Sequence, residues 1–251
     1  MKLPKEHFSF SQANMYQRCP KQYEFRYIED IVRPPSVSLI WGSSEHIALE
    51  LNNNHKVETK EDLPADDVVE CFCDTFDSKA KEISEWEGQT KDSVIEKGTA
   101  LTKEYMEIVA PEIQPEVVEQ EFRITIPVDD DEVEVLGYID LEQPDITSDY
   151  KVVGKTKTQA DTDSDLQLPL YDMVTNKGKA EFICLVKTKK PKIVRVATEI
   201  TQQRKDWAVY TLGEIAKAIS AGVFPPCNPA EWCCSEKWCG YWYMCRGKGS
   251  F

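Results

Sequence analysis

The sequence is poor in the features that insert a chain into a membrane, export it or couple it to a nucleotide. No apolar run approaches the eighteen or so residues of a membrane span, so no membrane partner is expected. The opening MKLPKEHFSF lacks the apolar stretch of a secretory signal, which makes the cytoplasm the expected compartment. No glycine-rich phosphate loop precedes a helix, so any work driven by ATP needs a partner. C-x2-C pairs, the usual mark of a zinc knuckle, are missing, as are internal repeats and low-complexity linkers. Histidine is scarce, with 3 in 251 residues, and basic charge is in deficit, the net charge being -14. Taken over the whole chain, that balance disfavours a polyanionic partner, because phosphate binding is driven by Lys and Arg releasing counterions.

Cysteine, by contrast, is plentiful. There are 9, and five of them, Cys227, Cys233, Cys234, Cys239 and Cys245, fall in one short stretch near the C-terminus. An odd number in a reducing compartment points to thiolates for metal plus buried thiols, not to disulfides. Cys71, Cys73 and Cys184 lie in apolar contexts, where cysteine acts as a small hydrophobe. Charge is also unevenly spread. Residues 116 to 149 hold twelve acids against Arg123, whereas residues 176 to 205 hold nine bases against Glu181 and Glu199. That split suits either an acidic face for cations and a basic one for a polyanion or, as charge alone favours, a solvated acidic surface and a solvated basic strand pair.

Hydrophobic residues at 41% suit a globular chain with one core. A single domain, 1–251, is expected, with a helical part (1–110), a sheet core (111–200) and a long helix with a cysteine-rich tail (201–251). Ser9 and Ser11 are N-cap candidates for a first helix that Pro20 interrupts. A second helix, SLIWGSSEHIALELNNN, places Ile40, Ile47 and Leu51 on one face and ends at the asparagine run. Two more helices follow, around 65–83 and 93–109. After Pro111 the period becomes alternating: EVVEQEFRITIP and EVEVLGYIDLEQ flank a turn, and ITSDYKVV follows. A short helix capped by Asp165, two strands joined by KTKKPK, and a long helix stopped by Pro225 and Pro226 complete the pattern. The fold class is α/β, with a small central mixed sheet flanked by helices.

Residues two apart on a strand share a face, so Asp149 and Lys151 can converge with Asp140 at the end of the preceding strand. Two carboxylates with an ammonium beside them suit a hard divalent cation such as Mg2+ or Mn2+. His46 follows Gly42 by four on a helix, and Gln167 and Tyr171 form another i, i+4 pair. In this order, G-x3-H, G-x2-D, D-Y-K and Q-x3-Y resemble the RecB-type branch of the PD-(D/E)XK nucleases. FSFSQANMYQRCPKQYEFRY is similar to that branch's opening segment, and the cysteine tail to its closing iron-sulfur segment.

The resemblance implies a restriction-endonuclease-like core and a metal-dependent deoxyribonuclease, exonucleolytic on single-stranded DNA or DNA ends, serving repair, recombination or phage DNA processing. His46, Asp140, Asp149 and the Tyr150 carbonyl would hold the metal, Lys151 would position the attacking water, and Gln167 and Tyr171 would hold the DNA or orient the site. Cys19 would join Cys234, Cys239 and Cys245 around a [4Fe-4S] cluster, with Cys233 or Cys227 as substitutes and Zn2+ as the alternative occupant. The tail aromatics Trp232, Trp238, Tyr241, Trp242 and Tyr243 would shield it. Lys155, Lys157 and the basic stretch 176 to 205 would meet the DNA backbone. The expected partners are DNA and a helicase, recombinase or annealing protein, in a bacterial cell or a phage-infected host. The rival expectation is a non-catalytic iron-sulfur subunit of a repair or CRISPR-adaptation complex.

Overall fold

The computed structural model describes residues 3–5, 7–84, 86, 88–188 and 190–246. In chain order the elements are β1 (Phe8–Ser9), α1 (Phe10–Arg18), α2 (Pro20–Tyr23), a π-helical turn (Glu24–Ile28), α3 (Val37–Thr59), α4 (Ala65–Lys79), α5 (Lys91–Ile108), β2 (Val117–Val128), β3 (Asp131–Glu142), β4 (Thr147–Val153), α6 (Gln159–Asp163), α7 (Gln167–Thr175), β5 (Lys179–Val186), β6 (Lys192–Glu199), α8 (Gln202–Ser220) and α9 (Trp242–Cys245). These gather into two compact units. One comprises Pro34–Glu121 and Tyr138–Lys205, the other Met1–Arg33, Phe122–Gly137 and Asp206–Phe251.

The first unit is built on a mixed sheet. The end of β3 pairs antiparallel with β4 (Leu141↔Ser148), β4 runs parallel to β5 (Asp149↔Phe182), and β5 is antiparallel to β6 (Ile183↔Arg195). After Lys179 every residue of β5 is buried, which suits the apolar run FICLV and leaves Glu181 to be met by Arg195, whereas the edge strand β6 is largely exposed or half-buried. Helices α3, α4 and α5 cover one face, where Trp41, Leu49, Phe72, Phe76, Leu101 and Tyr105 form one core with Leu141, Tyr150, Ile183 and Leu185 of the sheet. Glu45 is fully buried within this core and accepts hydrogen bonds from Trp41 Nε1 and Thr102 Oγ1, both at 2.9 Å. Burial pushes its carboxyl up to about 7. A Cβ added at Gly98 would lie 2.1 Å from the Phe72 ring. Gly98→Ala is therefore expected to destabilise by about 1–3 kcal/mol through overpacking, against the roughly 1 kcal/mol that alanine gains as a helix former. Urea denaturation checks the sign.

Three expectations about the helices need correction. Helix α3 does not stop at the asparagine run. Asn52 Nδ2 donates to Asp62 and its Oδ1 accepts from Leu63 N, and Asn53 Nδ2 donates to Tyr150 Oη at 3.0 Å, so tertiary partners replace the local backbone bonds by which asparagine ends helices. The buried face is also different. Ile40 is buried, but Leu51 is exposed and Ile47 lines an open cleft, the core side being Trp41, Ala48 and Leu49. Ser9 caps α1 by accepting from Gln12 N, while Ser11 lies inside the helix with its hydroxyl on that of Ser9.

In the second unit, β1 pairs parallel with β3 (Phe8↔Val135). Cys19 sits between α1 and α2 in extended backbone, φ -164 and ψ 104, because the residue before a proline is driven out of the helical region, and Pro20 then opens α2. Tyr16 donates to the Val223 carbonyl at 2.5 Å, Tyr23 stacks on Phe224, and Phe25 stacks on Tyr241 at 5.3 Å between centroids. These aromatic contacts hold the tail against α1 and α2.

Candidate functional site

Ser36 caps α3 by accepting from Leu39 N at 3.2 Å, and one turn apart on the helix His46 and Glu50 share a face. They line an open cleft of about 520 Å³ with Glu119, Asp140 and Lys151. His46, Glu119 and Asp140 each present a ligand atom within 4.8 Å of the other two, with Nδ1 of His46 at 3.5 Å from Oδ2 of Asp140. The same Asp140 oxygen accepts from the Tyr150 backbone N–H at 2.8 Å. The Tyr150 side chain is buried, bonded to Asn53 and to the Tyr105 hydroxyl at 2.7 Å, so the core fixes the backbone that fixes Asp140. The Tyr150 backbone also hydrogen-bonds His46.

Glu119 escaped the sequence reading. It lies in β2 with φ +48, a left-handed conformation uncommon for a non-glycine residue and characteristic of functional sites. Burial alternates regularly in β2 from Phe122 onward and is irregular before it. Nothing in EVVEQEF signals that break.

Behind the trio, Asp149 is 1% exposed. Its Oδ2 pairs with Lys151 Nζ at 2.5 Å and its Oδ1 accepts from the Tyr171 hydroxyl at 3.1 Å. Lys151 also donates to Gln167 Oε1 at 3.0 Å, and Gln167 Nε2 donates to Tyr171 Oη at 2.5 Å. Asp165 Oδ1 accepts from the backbone N–H of Gln167 and Leu168, capping the helix that carries this pair. Asp149, Lys151, Gln167 and Tyr171 thus close into a ring of polar contacts, and Asp149 lies outside the 4.8 Å trio that Glu119 completes.

Crowded carboxylates dominate the electrostatics. Burial, then the neighbouring Asp149, pushes the Asp140 carboxyl well above its usual range. Burial, Glu50 and Asp149 push Glu119 up to about 7. Burial pulls the His46 imidazole down. Burial also pulls Lys151 down, but Asp149 and Asp140 outweigh it and the net shift is upward, so its ammonium is kept. Oxygen and imidazole donors that repel one another until a cation arrives are the donor set a hard divalent ion takes. Mg2+ or Mn2+ fits these residues.

In the other unit, Cys19, Cys227, Cys233, Cys234, Cys239 and Cys245 all line one pocket, and all are free thiols. Gln22 Nε2 donates to Cys239 Sγ at 3.2 Å. Burial pushes the Cys245 thiol up, and Cys19, Cys239 and Cys234 add to the effect while Arg246 opposes it. The aromatic shield is narrower than expected. Tyr241 is buried and Trp242 lines the pocket, but Trp232, Trp238 and Tyr243 are 64%, 52% and 59% exposed. Cys184 is buried and Cys71 and Cys73 are half-buried.

Much of the basic stretch is engaged within the fold. Lys177 pairs with Glu116 and Glu142, Arg195 with Glu181 and Glu112, and Lys205 with Asp172; Arg204 donates to Thr198 and to two backbone carbonyls. Lys189 lies outside the described residues. Lys157 stands 5.9 Å from the Phe182 ring and Lys151 5.3 Å, which brings Lys157 near the polar ring.

A mixed sheet flanked by helices, with an acidic cleft and a lysine on its second-placed strand, defines a class. Residues 7–246 match the model of the PD-(D/E)XK nuclease superfamily, and the chain belongs to that superfamily. A crystal structure of a candidate exonuclease from Eubacterium rectale is similar in fold, with a TM-score of 0.57 and 14% identity over 91% of this chain and 87% of that one. No curated protein matches the sequence. Among the described residues, no helix is long and apolar enough to cross a membrane.

Proposed function

We propose that the chain is a Mg2+- or Mn2+-dependent deoxyribonuclease of the RecB-type branch, exonucleolytic on single-stranded DNA or DNA ends. The observation that carries this reading is the His46, Glu119 and Asp140 trio beside an ion-paired Lys151. A divalent ion there supplies positive charge to a phosphodiester and to the water that attacks it. The chain's own groups do the rest. The Lys151 ammonium orients the water and meets charge building on the phosphate, Asp149 and Gln167 hold that ammonium in place, and Tyr171 holds both of them. Tyr150 keeps Asp140 turned to the cleft, and its carbonyl is a further ligand candidate, as is Asp149. Lys155 and Lys157 are the proposed backbone contacts.

The cysteine pocket fits a [4Fe-4S] cluster on Cys19, Cys234, Cys239 and Cys245, the set the resemblance implies. Four thiolates on one zinc ion lie about 3.8 Å apart, given bonds of about 2.3 Å at tetrahedral angles. Among the described residues, no three cysteine sulfurs lie within 4.8 Å of one another, the only such trio being that of the acidic cleft. The role of such a [4Fe-4S] cluster is to staple Cys19 to the tail.

Asp140→Ala is expected to abolish cleavage of end-labelled DNA while leaving the visible absorption of anaerobically purified protein intact. Cleavage that survives the change would put the site elsewhere. Glu119→Gln is expected to weaken Mn2+ binding by at least about tenfold, read by calorimetric titration, and unchanged affinity would remove Glu119 from the ligand set.

A further inference from the structure

The cysteine pocket holds two more thiols than a four-thiolate group requires, and their placement is not casual. The turn Asn228 to Glu231 folds the chain back on itself: Ala230 N donates to Asn228 Oδ1 at 2.9 Å, and Glu231 N donates to the Asn228 carbonyl at 2.9 Å, as asparagine does in turns. Cys234 N then donates to the Glu231 carbonyl at 2.9 Å. The result is that Cys227 and Cys233, at the two ends of the turn, bring their sulfurs to 3.8 Å. Backbone bonds of the turn support this approach.

The pair lies against Cys19 and the residue before it. The Cys227 N–H donates to Cys19 Sγ at 3.4 Å, and the Cys233 thiol donates to the Arg18 carbonyl at 3.7 Å. Cys227 is partly accessible and Cys233 is 3% exposed. The first can meet a small disulfide in solution, although burial and then the neighbouring Cys19 and Cys233 push its thiol up and slow its attack; the second is met chiefly through its neighbour.

We propose that Cys227 and Cys233 are a redox-responsive dithiol, oxidised reversibly to an internal disulfide by a low-molecular-weight disulfide. The thiolate of Cys227 attacks one sulfur of RS–SR, forming a mixed disulfide and releasing RS⁻. The thiolate of Cys233 then displaces the second RS⁻ as the internal bond forms. Two protein thiols lose two electrons and two protons, and two RSH leave. Closure moves the sulfurs from 3.8 Å to about 2 Å, removes the thiol donor at Arg18 and shifts the backbone donor at Cys19. Hydrogen bonds to thiolate sulfur tune an iron-sulfur group, so the dithiol would report oxidant to the cluster; this last link alone rests on the cluster proposed above.

The test uses the full chain, purified anaerobically, exposed to graded ratios of glutathione disulfide to glutathione, then alkylated and mapped by mass spectrometry. The expected result is a Cys227–Cys233 linkage that dithiothreitol reverses, with Cys227→Ser losing the linkage and keeping the iron content of the unsubstituted protein. Absence of the linkage at every ratio, separate glutathione adducts on the two cysteines, or loss of iron in Cys227→Ser would overturn the proposal. An iron-free protein that forms the linkage upholds the dithiol and removes the cluster instead.

Discussion

Lys151→Met is expected to lower the rate of DNA cleavage by at least about a thousandfold, a loss near 4 kcal/mol of transition-state stabilisation. The ammonium is ion-paired with Asp149, and it stays charged against burial because Asp149 and Asp140 hold it so. The single change also strands a carboxylate that is 1% exposed, and an unpaired buried charge costs about 3–5 kcal/mol. Loss of activity could then be mistaken for loss of fold. The double variant Asp149→Asn with Lys151→Met removes both charges, and it is expected to recover most of the thermal stability while remaining inactive. If the double variant cleaves DNA at a tenth of the normal rate or better, Lys151 does not serve the chemistry.

Cys19→Ser carries the second large expected effect. Cys19 is the one early cysteine in the pocket, and the tail cysteines lie almost the whole chain away, so a staple through it restricts an unusually long loop of the unfolded chain. By the loop-closure relation for cross-links, such a constraint is worth about 5 kcal/mol. Cys19→Ser should therefore lose visible absorption and iron together and melt well below the parent, compared anaerobically at equal concentration. Cys184→Ser, in a strand of the other unit, should change neither colour nor iron content. Full retention of iron in Cys19→Ser would show that the tail cysteines suffice.

Local pattern made much of the fold legible. Alternation marked β2 and β3, and EFICLVKT and KIVRVATEI read as the two strands that became β5 and β6. The short helix α6 was overlooked although Thr158 and Asp161 form a capping box there, a signal readable from T-x-x-D. The i, i+2 spacing of Asp149 and Lys151 suggested that they converge with Asp140 on a metal; the ring that Asp149 and Lys151 close with Gln167 and Tyr171 is not readable from that spacing. What stayed hidden depends on tertiary context. The left-handed backbone at Glu119 has no local sequence cause, and Asn52 and Asn53 continue α3 only because Asp62 and Tyr150 meet them. Gly42 was noted for its spacing to His46, yet an added Cβ there would stand at an ordinary 3.9 Å from Val152, so sterics do not require it. Nor does the sequence reveal that, within the basic stretch, Lys177, Arg195 and Lys205 pair with Glu116, Glu142, Glu181 and Asp172.

The central claim is that one divalent ion, held by His46, Glu119 and Asp140, makes this cleft a nuclease site. The most direct measurement is digestion of end-labelled single- and double-stranded DNA by the parent protein and by Asp140→Asn, each with Mn2+, Mg2+ or a chelator. The account predicts cleavage by the parent with either metal, none with the chelator, and none by Asp140→Asn under any condition. Cleavage by Asp140→Asn at the parental rate, or by the parent in the presence of chelator, would contradict it.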